Sequence, residues 1–266
     1  MIVWITGATA GFGALLARRF VAQGAQVVGV GRRAEKLHAL QKELGENFFP
    51  LAADVSDRDA ITRGLAGLPG RFAQVDVLIN NAGLALGLES AQKSALDDWD
   101  AMVRTNVNGV LYVTHAALPG MVARGRGHIV NMGSVAGEFP YPGGNVYGAS
   151  KAFLHQLSLN LRADLHGTAV RVTNIEPGLV AGTEFSEVRF RGDTARAGAV
   201  YAGAKALQPE DIADAVQWVV ARPAHVNVNV LSLMPVGQSF GPLVIQREAI
   251  PSAAHKPESR PGHTTS

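Results

Sequence analysis

Tyr147 and Lys151 stand four residues apart in the run YGASK, with Ser134 upstream of them in GSVAG. On a helix that spacing brings the phenol and the ammonium out of one face. A free phenol has a pKa of about 10 and exchanges protons poorly at neutral pH. A nearby ammonium favours the phenolate and brings the tyrosine into working range. A serine hydroxyl at a strand end could hydrogen-bond the substrate oxygen that the phenol protonates or deprotonates. These groups suffice to interconvert a carbinol and a carbonyl, provided a hydride acceptor lies beside them. Tyr–Lys pairs at this spacing are also common on ordinary surface helices, so the surrounding elements must decide.

Those elements alternate. Apolar runs at 2–6, 26–30, 48–52, 75–79, 128–132, 169–175 and 226–231 read as strands. Helical periodicity fills 12–23, 34–44, 59–68, 96–118, 146–165 and 209–220 between them. Strands that are apolar on both faces predict an α/β fold. It is a single doubly wound Rossmann-type domain with a seven-stranded parallel sheet between helix layers. Two segments stand outside the alternation. Residues 179–207 are long and polar and read as a mobile substrate lid. Residues 249–266, rich in Pro, Ser and His, read as a disordered tail behind a domain spanning 1–248.

The first strand runs into Thr6-Gly7-Ala8-Thr9-Ala10-Gly11-Phe12-Gly13, and a helix follows. Small residues there let the backbone approach a pyrophosphate resting on the helix N-terminus. The spacing G-x-x-x-G-x-G differs from the G-x-G-x-x-G fingerprint, and no Lys-Ser or Lys-Thr follows to make a P-loop. At the end of the second strand an acid would bind ribose hydroxyls, whereas arginine binds a 2′-phosphate. The sequence has Gly31-Arg32-Arg33, which selects NADP over NAD.

Composition excludes other chemistries. With 266 residues, 47% hydrophobic and 17% charged, the chain needs no disulfide or metal staple. It has no cysteine, so bridges, thiolate metal sites and cysteine nucleophiles are out, and no metal is expected. A formal charge of +2 is too mild for a nucleic-acid partner. No stretch approaches a membrane span, and the N-terminus opens directly on a strand, which together predict a soluble cytoplasmic protein.

Taken in order, TGATAGFG, Asp54, NNAG at 80–83, Asn106, Ser134, YGASK at 147–151 and EPG at 176–178 resemble the short-chain dehydrogenase/reductase family. The likeness spans nearly all of residues 1–245. It implies that Tyr147 is the general acid/base and that Lys151 lowers its pKa while binding the nicotinamide ribose. It also implies that Ser134 orients the substrate oxygen and that Asn106 holds a water in a proton relay to Lys151. Gly7, Ala8, Thr9, Ala10, Gly11 and Phe12 would cradle the pyrophosphate. Asp54 and Val55 would flank the adenine, and Asn81 would contact the adenosine-side ribose. Pro177, Gly178, Val180, Thr183 and Phe185 would hold the nicotinamide amide and close over it. Each residue has a plainer use: Asp54 could cap a helix, and Asn80 and Asn81 could finish a strand.

NNAGLALG at 80–87, GGNVYGASKAF at 143–153, the long run from 165 to 193 and PAHVNVN at 223–229 carry a narrower likeness. They are similar to the NADP-dependent 3-hydroxy acid dehydrogenases, tetramers that act on L-allo-threonine, serine and 3-hydroxypropionate-type substrates. That likeness implies a homotetramer with helices around 96–118 and 146–165 paired across subunits. A 3-hydroxy acid brings a carboxylate near the reacting carbon, and Arg189 and Arg191 are candidates to meet it. Glu138 is a candidate for a substrate ammonium. Two other functions fit the same motifs: a broad NADPH-dependent carbonyl or malonic semialdehyde reductase, and a non-catalytic NADP-sensing protein.

Overall fold

In the computed structural model, which describes residues 1–241, the chain winds through seven parallel strands in the order β3-β2-β1-β4-β5-β6-β7. The elements run β1 (Ile2–Thr6), α1 (Gly11–Ala22), β2 (Gln26–Gly31), α2 (Ala34–Leu44), β3 (Phe48–Ala52), α3 (Arg58–Ala66), α4 (Gly70–Ala73) and β4 (Val77–Asn80). After them come α5 (Leu96–Val103), α6 (Gly109–Ala123), β5 (Gly127–Met132), α7 (Asn145–Asp164), β6 (Val170–Pro177), α8 (Phe185–Arg189), α9 (Thr194–Ala199), α10 (Pro209–Val220) and β7 (Val230–Leu233). The expected tail at 249–266 and the domain end at 248 lie outside the described residues.

Alternation along each strand divides the core between the sheet's two faces. Val3 and Ile5 of β1 pack with Leu16 and Phe20 of α1 and Ile212 and Val216 of α10. Trp4, one residue out of step, points the other way, into a cluster with Ile61 and Leu65 of α3 and Val113 and Met121 of α6. Fully burying an aliphatic or aromatic side chain of this kind contributes roughly 1.5–3 kcal/mol. A one-residue slip of β1 would reverse all of these contacts.

Several boundaries differ from the sequence expectation for local reasons. The third helix is capped by Asp57, whose carboxylate accepts from the Ala60 amide at 2.9 Å, and it closes at Ala66. Asp54 makes no cap; it accepts from the Ser56 amide and hydroxyl at 2.9 and 2.8 Å. The long helix from Leu96 is interrupted by a π-helical turn over Arg104–Asn108 and then runs on to Ala123. The last strand starts at Val230 instead of Val226, because the Asn227 side chain takes the place of a strand neighbour on Val172. It accepts from the Val172 amide at 2.8 Å and donates to its carbonyl at 2.9 Å. Residues 179–207 contain α8 and α9, and a bridge between Val180 and Leu207 closes the segment at its neck.

From β1 the chain first crosses to β2 on one side and later returns to β4 on the other. Loops leave the sheet in opposite directions there, and a crevice opens above the carboxyl ends of the strands. That crevice is a cavity of about 770 Å³, bordered by the glycine loop, Arg33, Ser134, Tyr147, Lys151 and Arg189.

Candidate active site

At the left of the cleft, β1 ends in Thr6, whose hydroxyl accepts from the Asn81 and Ala82 amides at 3.0 and 2.9 Å. The loops after β1 and β4 are thereby fixed to each other. Gly7 has φ +68°, and a Cβ on it would lie 2.9 Å from Asn81 Nδ2. A Cβ on Gly13 would lie 2.3 Å from the Gly7 carbonyl oxygen, so only glycine lets α1 start this close to the loop. α1 begins with no side-chain cap and no acid in its first turn. Its leading N–H groups are therefore available to an anion in the cleft. Backbone approach and positive helix end together fit a dinucleotide pyrophosphate.

Next to this loop, Arg33 donates from Nε and Nη2 to the Thr9 hydroxyl at 3.1 and 2.9 Å. Its Nη1 reaches Glu184 Oε2 at 2.8 Å, and Lys36 Nζ reaches the other oxygen of Glu184 at 2.8 Å. Arg32 is more exposed and lies 3.9 Å from Asp54 Oδ2. Three cations at one end of a pyrophosphate cradle suit a 2′-phosphate.

The central part of the cleft holds the groups that can move a proton. Ser134, at the end of β5, accepts from the Ala136 amide at 3.1 Å and donates to the Pro177 carbonyl at 3.4 Å. Tyr147 and Lys151 project from the first turns of α7 and are both buried. Burial pushes the Tyr147 phenol up to about 12; the Ser134 hydroxyl opposes that, Tyr141 adds to it, and Arg189 opposes it more weakly. Burial also pushes Lys151 down to about 8. Lys151 Nζ lies 5.8 Å from the Tyr147 ring centre and donates to the Met132 carbonyl at 2.7 Å. In this state Lys151 is engaged by the Met132 carbonyl, and burial outweighs the groups that lower the phenol. The same burial that raises the phenol disfavours the ammonium that would lower it.

Asn106 sits in the π-helical turn, 2% exposed, and does not border the cleft. Its amide accepts from the Leu84 amide at 2.9 Å and donates to the Leu84 carbonyl and the Ser150 hydroxyl at 2.8 and 3.0 Å. The side chain is thus committed to binding the loop after β4 to α7. A π-turn leaves the ladder of its helix irregular, as at many functional sites.

At the far end Arg189, from α8, donates from Nε to the Gly87 carbonyl and from Nη2 to the Tyr141 hydroxyl, both at 2.9 Å. Its guanidinium lies over the rings of Tyr141 and Tyr147, and the Phe185 ring is centred 5.7 Å from that of Tyr147. Arg191 does not join it: with φ +54° it turns outward and pairs with Asp98 at 2.7 Å. Glu138 is exposed and does not border the cleft, because the 3₁₀ turn Val135–Gly137 carries it past the rim. The expectation that it meets a substrate ammonium is therefore corrected.

The remaining residues expected around the cofactor border the cleft, with one exception. Ala8 is buried in the apolar cluster beneath, and its amide donates to the Val30 carbonyl at 3.1 Å. Three neighbours of the site escaped the sequence reading: Lys36, Glu184 and Tyr141. Lys36 follows Arg33 at i+3 and was recoverable from helical spacing. Glu184 and Tyr141 come from loops without periodicity, and nothing in the sequence alone places them. Behind the cleft, Glu176 is buried, held by Asn174 Nδ2 at 2.7 Å and His155 Nδ1 at 2.6 Å, and so anchors the strand end that carries Pro177 and Gly178.

The family model described as short chain dehydrogenase matches residues 1–193. The chain belongs to the short-chain dehydrogenase family. Within it, the chain is 60% identical over 247 residues to the NADP-dependent 3-hydroxy acid dehydrogenase YdfG of Salmonella typhi, covering 93% of this chain and 100% of that protein. It is 51% identical over 247 residues to the serine 3-dehydrogenase of Agrobacterium fabrum, covering 93% and 98%. Among solved members of this family, the closed form of serine dehydrogenase complexed with NADP+ superposes with a TM-score of 0.92 at 57% identity, covering 93% and 100%. Serine dehydrogenase from Escherichia coli superposes with a TM-score of 0.80 at 54% identity, covering 90% and 100%.

Proposed function

We propose that this short-chain dehydrogenase uses NADP to interconvert 3-hydroxy acids, of the 3-hydroxypropionate, serine and L-allo-threonine type, and the corresponding 3-oxo acids. The observation that carries the reading is one cleft holding the buried Tyr147, Ser134 and a cation, Arg189, beside the same tyrosine. Bound NADP supplies or accepts the hydride at the carbinol carbon. For reduction, Ser134 and Tyr147 hold the carbonyl oxygen and the neutral phenol protonates it as charge develops. The phenolate left behind is stabilised by the Lys151 ammonium and restored by solvent. Oxidation reverses the order and requires the phenolate first. Arg189, pre-oriented by the Gly87 carbonyl and the Tyr141 hydroxyl, receives the substrate carboxylate.

Among the described residues, the carboxylates bordering the cleft are Asp54 and Glu184, and both lie beside the arginines of the phosphate end. Residues 179–207, with Thr183 and Phe185 over the cleft and a closed neck, act as the substrate lid. Exposed Leu111 on α6 and Phe153 on α7 support pairing of these helices across subunits of a cytoplasmic homotetramer. Among the described residues no helix is long and apolar enough to cross a membrane. The domain is assigned to 1–248, followed by the tail at 249–266.

Following NADPH absorbance with 3-hydroxypropionate, serine and a neutral ketone tests the assignment. The acid should be turned over with the highest kcat/KM, and only with NADP. A preference for the neutral ketone would replace the acid dehydrogenase by a general carbonyl reductase.

A further inference from the structure

Glu184 is an anion placed where the phosphate-binding cations are. It reaches across the cleft from the segment between β6 and α8, while Arg33 and Lys36 belong to the end of β2 and the first turn of α2. Thr183 beside it packs against the start of α1, where a Cβ on Gly11 would meet the threonine Cβ at 3.6 Å. Hydrogen bonds from Lys36 and Arg33 hold the Glu184 carboxyl below the usual carboxylate range, so it is ionised at neutral pH. Thr9 fixes the other edge of the Arg33 guanidinium, and Glu184 takes Nη1 on the edge that remains. A phosphate arriving at Arg33 therefore meets a carboxylate already on one of its two outer nitrogens, and it must displace that carboxylate or sit beside it.

We propose that Glu184 is an internal competitor for the cofactor's 2′-phosphate, and that its hold on Arg33 and Lys36 sets how strongly NADP is preferred over NAD. The proposal rests on the reading that the chain binds NADP. Near neutral pH a 2′-phosphate carries close to two negative charges, and each shared cation partly neutralises it. Glu184 neutralises the same cations first. Arg33, Lys36 and Glu184 are all about two-fifths exposed, so the competition is screened by solvent and modest in size. An amide at 184 fills the same space without the charge. The cations are then left to the phosphate alone.

The test is equilibrium binding, by titration calorimetry, of 2′,5′-ADP (adenosine 2′,5′-bisphosphate) and of 5′-AMP, which differs from it only in lacking the 2′-phosphate, with no turnover involved. Glu184→Gln should tighten 2′,5′-ADP by roughly two- to five-fold, the scale of one partly exposed charge pair, and leave AMP unchanged. Lys36→Gln should loosen 2′,5′-ADP by a similar factor, again without effect on AMP. Thermal melting of both variants checks that they fold. Unchanged or weakened 2′,5′-ADP binding in Glu184→Gln, or indifference to Lys36→Gln, overturns the competition while leaving the NADP assignment intact. A wild-type protein that does not prefer 2′,5′-ADP to AMP overturns the assignment and the proposal with it.

Discussion

The guanidinium carbon of Arg189 lies 5.7 Å from the centre of the Tyr147 ring, and its Nη2 donates to Tyr141 at 2.9 Å. A cation held at that distance from the proton-transferring phenol can take the carboxylate of a substrate whose carbinol carbon lies two carbons from the carboxylate carbon. Removing it should therefore select among substrates. Arg189→Ala is expected to raise KM for 3-hydroxypropionate by roughly ten- to a hundred-fold, the range for a charge-assisted hydrogen bond. KM for a neutral ketone should move little. Arg189→Lys should recover only part of the loss, because one ammonium cannot serve Gly87, Tyr141 and a bidentate carboxylate together. Equal losses on acid and ketone would take Arg189 out of substrate recognition.

Tyr147→Phe removes the phenol hydroxyl that pairs with Ser134 while keeping the ring against Phe185. Turnover should fall by about 10²–10⁴-fold, the usual contribution of a positioned acid/base. NADPH affinity, read from protein fluorescence, should stay within roughly two-fold, because the ring that packs in the cleft is unchanged. In the intact enzyme the phenol is raised to about 12 and stays protonated through neutral pH, whereas Lys151 loses its proton around 8. Reduction uses the protonated phenol and the ammonium, so its kcat/KM should be flat below pH 8 and decline above it. Oxidation needs the phenolate and should gain with alkalinity. Parallel pH profiles in the two directions would show that Tyr147 is not the group exchanging the proton.

Much of this site was legible in the sequence because glycine spacing, strand alternation and the i, i+4 pair are local signals. β1, the loop through Gly7 and Gly11, and the face shared by Tyr147 and Lys151 follow from neighbours in the chain. The electrostatic state of the pair did not. It depends on burial by Phe185, Tyr141 and the segment 179–207, which are brought in by tertiary folding. Glu138 and Arg191 show the same limit from the other side. Their positions in the chain lie next to the site, but a 3₁₀ turn sends one past the rim and a positive φ turns the other toward Asp98. The shortened last strand was likewise invisible, because an asparagine side chain replacing a strand neighbour has no periodicity.

Lys151 should weaken the fold that it serves. Its pKa falls from 10.5 in the unfolded chain to about 8 in the fold, so burying the ammonium is unfavourable at neutral pH. Below pH 8 both states are protonated and the full cost, about 3 kcal/mol, is present. Between 8 and 10.5 the unfolded chain binds the proton that the fold has released, and stability climbs with pH. Lys151→Met keeps the volume and loses the charge, at the expense of the bond to the Met132 carbonyl. It should be inactive and more stable than wild type by about 1–3 kcal/mol at pH 7, with the difference shrinking toward pH 10. Urea unfolding at several pH values reads this directly, and a destabilised, pH-independent variant would show that the lysine's hydrogen bond outweighs its desolvation.

His128 should set the acid limit of the fold. It is 2% exposed on β5, with Nε2 2.8 Å from the Thr173 hydroxyl of β6. Burial first, and the Arg171 guanidinium second, push it down to about 3 from 6.5. As pH falls from 6.5 toward 3, the unfolded chain takes up a proton that the folded chain refuses, so stability is lost on acidification across that window. By pH 5 the loss is about 2 kcal/mol relative to pH 7. His128→Gln can still hydrogen-bond Thr173 and does not titrate. Its unfolding free energy should start below wild type at pH 7 because the packing is imperfect, yet change less between pH 7 and pH 5, where most carboxylates remain ionised. If both proteins lose the same free energy over that interval, the acid sensitivity lies elsewhere and the buried imidazole is an inert part of the sheet.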